Sequence, residues 1–89
     1  MYKKLDIMKF TTNTRGNLEM EFNSSIMELF VCDDDYAMIE WSSCYDATEI
    51  GMWFEGKRLI DYDGVCSLPI EALKLIRKAG FIAPDSEWI

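Results

Sequence analysis

Leu18-Glu19-Met20-Glu21-Phe22 is the stretch whose reading decides the fold. Leu18, Met20 and Phe22 alternate with Glu19 and Glu21, the period of a strand with one buried face and one wet, acidic face. Asn23-Ser24-Ser25 follows at once, and such residues tolerate tight or left-handed turns. The same grammar repeats outward. Apolar runs of strand length occupy Leu5 to Thr11 before this stretch, and Met27 to Cys32, Tyr36 to Trp41, Glu49 to Phe54 and Arg58 to Tyr62 after it. Asn13-Thr14-Arg15-Gly16-Asn17, Asp33-Asp34-Asp35 and Glu55-Gly56-Lys57 supply further turn chemistry between them. Short connections predict antiparallel hairpins. Ser42 to Thr48 reads as a longer loop, and Gly51 inside a strand pattern predicts a bulge or a close backbone approach.

After Asp63-Gly64 the period changes. Leu68, Ala72, Leu75 and Ala79, joined by Leu73 and Ile76, recur at the three- and four-residue spacing of an amphipathic helix. Pro69 suits the first helical position, Glu71 the positive N-terminal end, and Lys74, Arg77 and Lys78 the C-terminal end. Gly80 stops the helix, with Phe81 placed to fold back onto Ile76 in a Schellman-type cap. The expectation is a single α+β domain over residues 1–89. An antiparallel meander of five or six strands packs on one C-terminal helix in two layers, and the second sheet face stays open. A chain of 89 residues supports one modest core, burying about 60–65% of its unfolded surface. Its 49% hydrophobic content is too high for disorder.

Charge is distributed unevenly. From Gly16 to Gly56 stand ten carboxylates, Glu19, Glu21, Glu28, Asp33, Asp34, Asp35, Glu40, Asp46, Glu49 and Glu55, with no Lys or Arg among them. All nine cations lie outside this window, and the formal net charge of the chain is −7. Soluble surfaces ordinarily intersperse both signs, so the window predicts one strongly anionic side and a cationic partner. If Glu19 and Glu21 face away from the helix, cross-strand neighbours add Glu28 or Glu40 beside them. Trp41, Trp53, Trp88, Tyr36, Tyr45 and Tyr62 form a second group; Trp41 and Trp53 read first as core and second as an exposed patch that stacks on arginines.

Several chemistries are opposed by the composition. The absence of His removes the commonest general base and transition-metal ligand. Cys32, Cys44 and Cys66 are an odd set without C-x-x-C spacing, which argues against a disulfide framework or closed zinc site and for reduced, mostly buried thiols. Asp33-Asp34-Asp35 lacks the alternate carboxylates, central Gly and closing Glu of a calcium loop and reads as a solvated turn. Asp61 and Asp63 alternate on one wet strand face. No cofactor is expected. Met1 to Asp6 carries no apolar signal core, and no run approaches the roughly 20 apolar residues of a membrane span, so a cytoplasmic location away from membranes is expected.

Three functions are compatible with these features. The first is a non-enzymatic inhibitor whose acidic sheet occupies a basic, nucleic-acid-binding surface of a target protein. In size and charge the chain is similar to small phage and mobile-element inhibitors of restriction and CRISPR enzymes, a likeness that covers no particular residues. The charge in this reading comes from Glu19, Glu21, Glu28, Asp33, Asp34, Asp35 and Glu40, with Tyr36 and Trp41 as aromatic anchors. Direct nucleic-acid binding is opposed, because phosphate contacts need clustered Lys and Arg. The second is an adaptor or homo-oligomer, such as a homodimer, joined through a strand edge and aromatics. The third, a divalent-metal enzyme or small-ligand binder using the Asp33 to Asp35 carboxylates, lacks a convergent polar set.

Overall fold

The computed structural model describes residues 10–42, 47–64 and 66–84. Six strands, β1 (Thr11–Thr12), β2 (Leu18–Phe22), β3 (Ser25–Val31), β4 (Tyr36–Ser42), β5 (Ala47–Glu55) and β6 (Arg58–Gly64), precede one helix, α1 (Ile70–Lys78). The strands form one sheet in chain order, β1-β2-β3-β4-β5-β6, and every neighbouring pair is antiparallel. The meander expected from the short turns is therefore present. Most of the predicted Leu5 to Thr11 strand, Cys44, Tyr45 and Trp88 lie outside the described residues.

Turn chemistry sets the strand pairing. Asn23 and Ser24 both adopt positive φ, 49° and 66°, so a two-residue turn joins β2 to β3 and places Phe22 opposite Ser25. Gly56 (φ 58°) and Lys57 (φ 66°) make the matching turn between β5 and β6. Alternate residues from each strand then meet on one face: Met20, Met27, Leu29, Ala37, Ile39, Ile50, Met52, Phe54 and Leu59 are buried in one cluster with Ala72, Leu73, Leu75 and Ile76 of α1. Each Leu, Ile, Met or Phe side chain in this cluster, when fully buried, contributes about 1.5–3 kcal/mol.

The helix starts one residue later than its sequence pattern predicts. Pro69 has an extended ψ of 157° and is the N-cap, its carbonyl accepting from the N–H groups of Ala72 and Leu73. The far end follows expectation: Gly80 takes φ 104°, its N–H donates to the carbonyl of Arg77, and the Phe81 N–H donates to that of Ile76 at 2.9 Å. Phe81 then stacks on Phe54, 4.1 Å between ring centres.

Of the two readings of Gly51, the close approach holds, made by the Tyr36 side chain, while the bulge falls at Ile60, where Trp53 pairs with Asp61 but Phe54 pairs with Leu59. Two local expectations are corrected. Cys32 lies in the turn after β3 rather than in the strand. Cys32 and Cys66 are both exposed, because neither occupies a core-facing register position. Among the described residues no helix is long and apolar enough to cross a membrane.

Candidate protein-interaction face

Residues between the core positions project to the opposite side of the sheet. Here the two-residue turn after Phe22 has its main consequence, since it pairs Glu19 with Glu28. Glu28 pairs in turn with Glu40, and Glu40 with Glu49. Four glutamates on four consecutive strands therefore stand in one row, with neighbouring Cβ atoms about 4.5–5.5 Å apart. Like charges at this spacing repel, so each carboxylate needs a compensating arrangement.

The β1–β2 turn supplies one. Asn13 Oδ1 accepts hydrogen bonds from the N–H groups of Arg15 and Asn17, both at 3.0 Å, and this knot folds the turn over the open face. Arg15 grips Glu28 with two donors, Nη2 to Oε1 at 2.6 Å and Nε to Oε2 at 3.0 Å. The side-chain amides of Asn13 and Asn17 donate to Oε2 of the same carboxylate at 2.6 and 3.0 Å, and Asn13 reaches Glu19 Oε1 at 3.1 Å. The Arg15 hydrogen bonds lower the pKa of Glu28 to about 2 against the opposing effect of burial, with Asn17 and Asn13 assisting. Glu28 is only 8% exposed, so its charge is held inside this clamp.

The other end of the row has a different solution. Burial pushes the Glu40 carboxyl above its ordinary pKa, reinforced by a carboxyl–carboxyl hydrogen bond with Glu49 and by repulsion from Glu49 and Glu28. Glu40 consequently keeps its proton to higher pH than an isolated glutamate does.

The remaining expected site residues divide. Glu21 is exposed on the same face as the row, directly opposite Ile26. Asp33 serves its own turn, accepting from the N–H groups of Asp35 and Tyr36 at 2.8 and 2.9 Å. Asp34 approaches Lys57 at 3.9 Å, and Asp35 is exposed at the sheet end. No group of three or more potential metal-ligating side chains is gathered among the described residues. Tyr36 lies on the open face, its ring 5.1 Å from that of Trp53. Trp41 does not join them: at odd spacing from Glu40 it turns to the core side and packs edge-on against Phe22 at 5.1 Å.

Arg15 corrects the picture of an uninterrupted anionic side. It lies one residue before the window, and the turn returns it to the window's centre to cancel Glu28. The only sequence sign of this role is its position between two asparagines. Glu49 and Trp53 also belong to the face without having been singled out as partner-binding residues. Lys74, Arg77 and Lys78 lie on α1 and form no ion pair with these acids among the described residues. Comparison with known proteins finds no matching family model, no similar curated protein and no matching solved structure.

Proposed function

We propose that the protein is a small, non-enzymatic interaction protein whose acidic sheet face occupies a basic, nucleic-acid-binding surface of another protein in the cytoplasm. The row Glu19, Glu28, Glu40 and Glu49 carries this reading, because a single-signed line of carboxylates on one sheet face costs stability and, among the described residues, is answered by one cation, the Arg15 guanidinium. A groove lined with Lys and Arg meets in such a line the charge it meets in a phosphate backbone, and specific pairing there sets encounter rate and selectivity. In this reading α1 is the second layer of a two-layer α+β domain. It braces the sheet from behind and keeps Lys74, Arg77 and Lys78 away from the contact, so the molecule is electrically polar.

The test measures binding to purified nucleic-acid-processing proteins with basic grooves, with and without competing duplex, across a salt series. Binding is expected to be displaced by duplex, to weaken steeply with salt, and to be lost when the exposed pair Glu21 and Glu49 is changed by Glu21→Lys and Glu49→Lys. Binding that survives both charge reversal and competing duplex sinks the proposal and favours association through a strand edge.

A further inference from the structure

Beyond the glutamate row, toward the β5–β6 turn, the open face changes character. Tyr36 on β4 stands directly opposite Trp53 on β5, which stands directly opposite Asp61 on β6. One step along the strands, Gly51 is opposite Asp63. The two rings lie 5.1 Å apart at an interplanar angle of 54°, and Trp53 is 40% exposed although it occupies an interior strand of the sheet. Trp53, Ile60, Asp61 and Asp63 line an open depression at this edge.

Gly51 explains how the aromatic pair is seated. A Cβ built there would stand 2.7 Å from the Tyr36 hydroxyl oxygen and 3.3 Å from the ring, so Tyr36 lies across the sheet only because this position has no side chain. Glycine inside a strand weakens it, and the space it gives is filled by the phenol ring. The bulge at Ile60 adds one residue to β6 between Leu59 and Asp61, and so sets which β6 residues stand beside Trp53. Asp61 Oδ1 accepts the N–H of Tyr62 at 2.8 Å, while among the described residues no Lys or Arg forms an ion pair with Asp61 or Asp63.

We propose that Tyr36, Trp53, Asp61 and Asp63 form a seat for one arginine side chain of a basic protein partner. The proposal rests on the reading of the acidic face and names its anchor. A guanidinium is planar and weakly hydrated, so it stacks on an indole or phenol while its N–H fork reaches carboxylates at the ring edge. An ammonium is a compact, strongly hydrated charge that gains less from the same surroundings. Arg15 and Glu28 already show the fork on a carboxylate elsewhere on this face. The seat adds stacking, which the glutamate row lacks.

The experiment titrates isotope-labelled protein with an acetylated oligoarginine peptide and with its oligolysine counterpart, following the Trp53 indole N–H and the backbone amides by NMR. The Trp53, Asp61 and Asp63 signals are expected to move on one isotherm, with oligoarginine bound at least about threefold more tightly than oligolysine. Trp53→Ala is expected to weaken oligoarginine binding about fivefold. The paired Asp61→Asn and Asp63→Asn changes, on exposed side chains, are expected to weaken it comparably without disturbing core methyl signals of Leu29 and Ile39. Equal affinity of wild type and both variants overturns the seat. Shifts confined to Glu21 and Glu49 overturn the seat and leave the acidic-face reading standing, whereas no response to either peptide removes both.

Discussion

Glu28 and Glu40 stand directly opposite one another on adjacent strands, yet their pKa values are displaced in opposite directions. Glu28 has Arg15, Asn13 and Asn17 over it and remains charged far into acid; the pKa of Glu40 is raised by burial and by its hydrogen bond to the Glu49 carboxyl. Residue type, sheet face and mutual repulsion are common to both. The difference lies in the five-residue connection 13–17, which covers Glu28, whereas among the described residues no equivalent segment covers Glu40. The row is thus compensated at Glu28 by an internal cation, whereas at Glu40 the repulsion shows as a raised pKa, and only at Glu40 can a partner's positive charge act without breaking a clamp.

The largest test of this contrast is Glu28→Gln. The folded pKa of Glu28 is depressed from its ordinary value of 4.5 to about 2. Its contribution is therefore present above the ordinary value and lost as pH falls through about 2. The substitution is expected to cost on the order of 2 kcal/mol near neutral pH, a figure reduced from the full linkage value because the Arg15 guanidinium remains largely in solvent. Urea unfolding across pH checks it. A variant as stable as wild type near neutrality, with the same loss of stability in acid, removes the clamp from the account.

Much of this fold was legible in the chain, and the limits are physical. The alternation through Leu18 to Phe22, the short turns and the Gly80 stop each act over a few residues, and each predicted its element. Register did not follow from them. Asn23-Ser24-Ser25 leaves open whether two or three residues make the turn, and a one-residue slip exchanges the faces of every following side chain. Only the two-residue turn places Glu19, Glu28, Glu40 and Glu49 in line. Arg15 was missed for a related reason: it meets Glu28 across thirteen positions of chain, through a turn knotted by Asn13. Trp41 and Trp53 are indistinguishable by type, and only strand parity sends one to the core side and the other to the open face.

A smaller effect of opposite sign is expected at the other end of the row. Glu40→Gln keeps the hydrogen bond to Glu49 while removing the need for a proton. The folded pKa of Glu40 is raised, so its stabilising contribution is present below the ordinary carboxylate value and lost as pH rises through the elevated one. The glutamine variant is expected to be about 0.5–1 kcal/mol more stable than wild type near neutral pH and to lose the decline in stability between the ordinary and the elevated pKa. Unchanged or lowered stability counts against repulsion at this pair. Gained stability combined with weaker binding to a basic partner is the signature of a residue kept for contact rather than for folding.

The smallest effect links the two ends. Arg15 lies nearest Glu28, but its charge also lowers the pKa of Glu40, opposing burial and Glu49. Replacing it by Arg15→Gln is expected to raise the Glu28 titration toward the ordinary carboxylate value and to push that of Glu40 further up in the same sample, read from side-chain carboxyl carbon shifts against pH. If Glu28 moves and Glu40 does not, the ends are electrically independent, and a partner's cation at Glu40 and Glu49 gains nothing from displacing Arg15. If both move together, the row behaves as one coupled charge. A guanidinium brought by the partner then competes with Arg15 for a common field, and binding near Glu40 should loosen the turn that holds Arg15 in place.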